Sequence, residues 1–239
     1  MDGKKGLSPA RLRALGSEFS FSALWWALIR FGFRLLYHEL AFTYDPVSWI
    51  VSLGQWRDWQ RAALIHVAAP PGAPILELAH GTGNFQIDLR RAGYRVAALD
   101  LSPAMSRLAI RRLRRWGYRP PLVRARAQAL PFSAGQFAAV VSTFPTEFIV
   151  DPATLAEVFR VLKPGGRLVV VFGGLLTGHS PPAQALEFAY RVTGQRGPWP
   201  THVEATLAEA GFTAEIITEE LQRSTVLLFV GEKTTLPNS

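Results

Sequence analysis

Apolar and polar positions fall into a regular rhythm from Pro74 onward. Short apolar runs at Ile75–Leu78, Tyr94–Leu99, Pro121–Arg126, Phe137–Phe144 and Arg167–Phe172 are bounded by Gly, Pro or Asp, and they predict five buried strands. Helical periodicity fills the gaps, from the Gly-rich turn after the first strand to about Ala92, over Ser102–Trp116, and from Asp151-Pro152 to about Leu162. Ser102 suits an N-cap and Pro103 the first helical position, while Gly117 stops that helix. Lys163-Pro164-Gly165-Gly166 closes the next one, because Gly ends a helix and Pro prevents its continuation. Residues 173–200 are rich in Gly and Pro and predict a loop or lid with one short helix near Ala183–Val192. A helix near His202–Ala210 and two strands near Thr213–Thr218 and Ser224–Val230 close the chain. The short link between those strands predicts a hairpin, so one strand runs antiparallel. Strands alternating with helices imply crossover connections and a mostly parallel α/β sheet covered on both faces.

The first forty-five residues follow a different pattern. Phe19–Ile29 is rich in aromatics, and Arg30, Arg34 and His38 then recur every four residues, which stacks basic groups on one helix face. The uninterrupted apolar run falls well short of the ~20 residues a bilayer span needs. It also starts late and has no small-residue cleavage site after it, which argues against a secretory signal. An interfacial amphipathic helix is expected, giving peripheral membrane contact through residues 19–42 at the inner face of the membrane of an otherwise cytoplasmic protein. The competing expectation is a helix packed on the core over a pocket. The chain is therefore divided into an N-terminal helical, membrane-facing cap, 1–69, and a main α/β domain, 70–239, with a lid-like insertion near 173–200.

Composition narrows the chemistry. Of 239 residues, 49% are apolar and 18% charged, which excludes a disordered chain. The lack of cysteine excludes disulfide frameworks, thiolate zinc sites and cysteine nucleophiles. The net charge is +8, and only four of the 26 basic residues are lysines, so the positive field is an arginine field that favours anions. A genome rich in G and C accounts for the same usage. Arg107, Arg111, Arg114 and Arg115 line part of the helix Ser102–Trp116 and suit either anionic lipid or RNA contact, or plain solvation.

Ile75-Leu76-Glu77-Leu78-Ala79-His80-Gly81-Thr82-Gly83-Asn84-Phe85 carries the most specific local signal. A strand runs into glycines and then a helix, which places a ligand at the carboxyl end of the sheet. Asp100 ends the second strand 17 residues after Gly83, where an acid accepts from ribose hydroxyls. Gln86 stands where a dinucleotide fingerprint has its third glycine, so pyrophosphate cofactors are disfavoured.

These residues resemble motif I of the class I S-adenosylmethionine-dependent methyltransferases, with Ala79 at the first glycine. Gln128-Ala129-Leu130-Pro131-Phe132 with Phe137–Ser142, and Arg160–Val169 around Lys163-Pro164-Gly165-Gly166, are similar to two further blocks of that family in the same order. Tyr44-Asp45-Pro46 through Trp56 looks like a segment of the ubiquinone/menaquinone biosynthesis methyltransferases, which lies over the cofactor. The resemblance implies a Rossmann-like fold with a seven-stranded sheet, one strand antiparallel, plus N-terminal amphipathic helices. It implies S-adenosylmethionine held by Tyr44, Glu77, Ala79, His80, Gly81, Gly83, Asp100, Leu101, Ala127, Gln128 and Thr143. Two departures stand out. Arg126 takes the place of the acid beside the adenine, leaving that contact to Gln128 or a backbone carbonyl, and Ala138 replaces the fourth-strand aspartate. Ala79 is a mild change only if its φ is negative.

Methyl transfer needs a base only when the nucleophile must lose a proton. Glu147, just after the fourth strand, is one candidate, to take a phenol or hydroxyl proton or to pair with a cationic amine; His179, in the 173–200 region, is the other. A surface carboxylate and a solvated loop histidine are the plainer readings of both. No metal-ligand spacing is present, so no metal is expected. The expected acceptor is a lipophilic small molecule of quinone or lipid type. An RNA substrate and a catalytically impaired cofactor binder are the alternatives, with nucleic acid disfavoured because no RNA-binding module accompanies the charge.

Overall fold

The computed structural model describes residues 40–119, 121–178, 180–192 and 203–234, with the side chains of 191 and 192 left aside. The expected membrane-facing residues up to 39, and His179, lie outside the described residues. Among those described, no helix is long and apolar enough to cross a membrane.

Seven strands form one sheet in the order β3-β2-β1-β4-β5-β7-β6. They are β1 (Pro74–Leu78), β2 (Arg95–Leu99), β3 (Leu122–Val123), β4 (Phe137–Thr143), β5 (Leu162–Leu176), β6 (Phe212–Leu221) and β7 (Ser224–Lys233). β1 pairs in parallel with β2 and β4, β2 with β3, and β4 with β5. β7 is antiparallel to both its neighbours, β5 and β6, so it is the one reversed strand, as the predicted hairpin requires. The helices are α1 (Tyr44–Val51), α2 (Trp56–Arg61), α3 (Asn84–Arg91), α4 (Pro103–Arg115), α5 (Pro152–Val161), α6 (Pro181–Val192) and α7 (Val203–Glu209). Ser102 caps α4 through its hydroxyl, which accepts from the Met105 amide, and Asp151 caps α5 through Ala153 N at 2.9 Å.

Successive strand residues point to opposite faces, so each strand feeds two cores. Ile75, Val169, Val171 and Leu228 pack with Phe85 and Leu89 of α3 on one face. Leu76, Leu168, Val170 and Phe229 pack with Leu155 and Val158 of α5 on the other. Trp59, Ala63 and Val67 belong to the first core, so the stretch just before residue 70 packs as part of the sheet's own interior. The Trp59 indole donates to Ser224 Oγ at 2.9 Å, and its ring lies where a Gly174 side chain would stand, 2.2 Å from an added Cβ.

Three boundaries differ from the sequence expectation. β3 is two residues long, whereas Pro121–Arg126 was expected; it is an edge strand, and residues 125–128 leave the ladder to line a cavity. β5 continues to Leu176, four residues into the expected loop, because the β7 arm pairs with it as far as Leu176↔Ser224. Residues 163–166 loop out at its start, between the pairings Phe137↔Leu162 and Ala139↔Arg167.

Candidate active site

A cavity of about 480 Å³ opens at the carboxyl ends of β1, β2 and β4, a size typical of small-molecule sites (~300–1,000 Å³). Its walls include Tyr44, Ala79, Gly81, Asp100, Leu101, Ala127, Gln128 and Thr143, eight of the residues implied by the family resemblance, together with Arg126, Phe144 and Phe148. Among the described residues no group of three His, Asp or Glu side chains is placed to hold a metal ion.

Asp100 is buried and held from two sides. Its Oδ2 accepts from Gly81 N at 2.9 Å and its Oδ1 from Ser102 N at 2.7 Å. A carboxylate has about four acceptor sites, so capacity remains for a ribose diol. Gly81 adopts a φ of +52°, which favours glycine, and an added Cβ there would meet no atom within 4 Å, so the space over its backbone is open to a ligand. Gln128 donates its amide nitrogen to Asp151 Oδ2 at 2.9 Å, which leaves its amide oxygen as the acceptor. That bond holds the Asp151 carboxyl below its ordinary range. The loop carrying Gln128 is clamped from α5: Arg160 donates to the carbonyls of Leu130 and Phe132 at 2.9 and 2.8 Å, and Glu157 accepts from Leu130 N at 2.6 Å.

Four expected residues lie outside the cavity lining. Glu77 shares its strand face with Ile75 and is buried beneath the turn; burial, and secondarily the Asp100 carboxylate, push its carboxyl well above the ordinary range. The His80 ring is turned between Gly81 O, 2.9 Å from its Nδ1, and the Ser106 hydroxyl, 3.5 Å from its Nε2. A carbonyl only accepts, so Nδ1 carries the proton. Burial depresses the His80 pKa, partly offset by Asp100. Gly83, at φ +78°, ends the turn against Ala109 of α4, 2.9 Å from an added Cβ, so its role is packing. Glu147 is exposed, between the lining residues Thr146 and Phe148.

Ala79 has φ +54°, so the mild-change condition fails and this alanine holds a left-handed conformation that glycine would adopt freely. Phe144 is the other residue of the cavity lining with a positive φ, at +53°, and its ring stacks on Trp56 with centroids 3.9 Å apart. Sequence reading missed Phe144, and it also missed Asp45. Asp45 accepts from Thr82 Oγ1 at 2.8 Å and Asn84 Nδ2 at 2.9 Å and pairs with Arg112, tying α1 to the glycine turn. The available signal was its place beside Tyr44.

The family model described as the ubiE/COQ5 methyltransferase family matches residues 33–193. The demethylmenaquinone methyltransferase of Renibacterium salmoninarum is 38% identical over 138 residues, 56% of each chain. That of Thermus thermophilus is 36% identical over 164 residues, 67% of this chain and 72% of its own. The chain thus spans little more than half the length of most of the curated relatives it matches. Among solved structures, a phosphoethanolamine N-methyltransferase of Haemonchus contortus in complex with S-adenosylhomocysteine superposes with a TM-score of 0.58 at 16% identity, over 76% of this chain and 53% of that one, a likeness of fold.

Proposed function

This chain belongs to the ubiE/COQ5 methyltransferase family, and from that premise we propose that it transfers a methyl group from S-adenosylmethionine to a quinone-type, lipophilic acceptor at the surface of a membrane. The observation that carries this reading is the doubly held Asp100 carboxylate facing open space over Gly81. The residues suit the cofactor. Asp100 would accept from the ribose, the Gln128 amide oxygen would accept from the adenine amino group, and Leu101 and Ala127, which line the same cavity, would flank the base. When bound, S-adenosylmethionine supplies an electrophilic methyl group.

The chain's own contribution is alignment and exclusion of water. Tyr44, Phe144 and Phe148 add aromatic rings to the cavity lining, which suit a flat apolar ring. Transfer to a ring carbon forms a carbon–carbon bond, breaks the carbon–sulfur bond and releases one ring proton. Glu147, beside the lining, is our candidate to receive that proton, and His179 the second candidate. Residues 19–42 would bring the opening to the membrane, where such an acceptor dissolves, in keeping with their aromatic and basic pattern. The relatives named demethylmenaquinone methyltransferases support the acceptor class.

The test is transfer of tritiated methyl from S-adenosylmethionine to a naphthoquinol lacking the ring methyl, presented in detergent. Label is expected in the organic extract. Label appearing in added RNA instead, or in neither, would overturn the reading.

A further inference from the structure

A second cavity, of about 420 Å³, lies on the other side of the segment 44–56. Its walls carry four guanidinium groups, Arg57, Arg61, Arg91 and Arg112, with Trp49 and Trp116 at its edge. Sequence inspection picked out none of these four, because they come from three helices.

The acids present do not satisfy them. Arg112 is committed to Asp45 and to Thr82 O at 2.8 Å. Arg57 and Arg61 share Asp88, at 2.6 and 3.3 Å, and Arg61 also reaches Asp58 at 3.3 Å. Arg57 Nη1 is nonetheless buried with no acceptor among the described residues. A buried donor left without an acceptor is costly. The Arg91 guanidinium sits over the Trp116 ring, 4.3 Å from its centroid, with no acidic partner among the described residues. Burial, and then the positive charges of Arg61 and Arg112, lower the Arg57 pKa against the pull of Asp88 and Asp45. Such a cluster is short of negative charge.

The geometry points to a phosphate-binding site here, taking the phosphate of a phosphate ester between Arg57, Arg61 and Arg91. Planar guanidinium groups match phosphate oxygens in paired hydrogen bonds. The cavity is larger than inorganic phosphate requires. Beside it, Trp49 and Ile50 of α1 are 64% and 60% exposed, so an apolar remainder of the ester has a surface to lie on. A phospholipid head group and a free phosphate ester share this chemistry. The site stands apart from the nucleoside cavity, and the inference does not rest on methyl transfer.

The test uses the full chain and two probes, inorganic pyrophosphate in calorimetric titration and vesicles of phosphatidylglycerol or phosphatidylcholine in co-sedimentation. Arg91→Gln is the primary variant because Arg91 is exposed. Arg57→Gln is the second, with melting temperature and S-adenosylmethionine affinity checking that both stay folded. At low salt, pyrophosphate binding is expected to weaken at least tenfold in each variant while S-adenosylmethionine affinity in Arg91→Gln is unchanged. If phosphatidylglycerol binding falls in parallel and pyrophosphate competes with it, the source is a lipid head group. If vesicle binding is unaffected while pyrophosphate binding is lost, the source is a soluble ester. Pyrophosphate binding that is absent in the native protein, or equal in the native protein and Arg91→Gln, would overturn the site.

Discussion

The two cavities lie back to back and have opposite chemistry. Tyr44 lines one and Asp45, the next residue, lines the other; Phe144 belongs to the first and Trp56, stacked on it, to the second. The first is walled largely by apolar side chains, with the Asp100 carboxylate presented to it by two backbone amides. The second is lined by four arginines facing too few acids. A neutral, flat ligand part suits the first, and a compact anion the second. The difference shows how a thin aromatic partition lets one short segment serve two environments.

The partition is the place to break the comparison with the largest effect. Trp56→Ala removes a half-buried ring from both sides and should lower unfolding free energy by about 3 kcal/mol, read by urea denaturation. It should also weaken S-adenosylmethionine and pyrophosphate together, whereas a change on one side should weaken one ligand only. Gly174→Ala is the control from outside both cavities. Its Cβ would stand 2.2 Å from the Trp59 ring, so stability should fall by about 2 kcal/mol while both affinities hold in the folded protein. A smaller effect of opposite sign is expected from Ala79→Gly. Release of the left-handed strain should exceed the added chain entropy and raise stability by up to about 1 kcal/mol, seen as a higher melting temperature.

The subtlest prediction concerns pH beneath the first cavity. Glu77 has a raised folded pKa, so the folded state binds its proton more tightly than the unfolded state does. That contribution is fully present below the unfolded pKa of about 4.3 and is lost as pH rises through the folded value. The stability of Glu77→Gln relative to native protein should therefore increase with pH above that point. His80 acts in the other direction. Its folded pKa is lowered, so its contribution is held above about pH 6.5 and declines as pH falls toward the folded value. A pH-independent difference between native protein and Glu77→Gln would show that Glu77 titrates normally.

The two cavities also differ in how far the sequence announced them. The first is built from contiguous signals. Strand, glycine turn and capped helix follow one another, so Gly81, Asp100, Leu101 and Gln128 were legible from spacing and resemblance. The strand rhythm likewise predicted all seven strands, and the short link between the last two predicted that one strand is reversed. What stayed hidden depends on contacts between distant residues. Trp59 meets Ser224 across 165 positions, and that contact merges the chain before residue 70 with the sheet. The extension of β5 into a Gly-rich stretch depends on its β7 partner, and the brevity of β3 on its place at the edge. The backbone signs at Ala79 and Phe144 cannot be read from residue type, since both are unusual for these side chains. The arginine cavity had no motif at all, because its charges meet only after α2, α3 and α4 pack.

The central claim is that Asp100 holds the sugar of a nucleoside cofactor over Gly81. Calorimetric titration of S-adenosylmethionine into native protein and Asp100→Ala, both checked for folding by melting temperature, tests it directly. The account predicts at least tenfold weaker binding in Asp100→Ala, the scale of one lost charge-assisted hydrogen bond, with pyrophosphate binding unchanged. Equal S-adenosylmethionine affinity in the two proteins would contradict it.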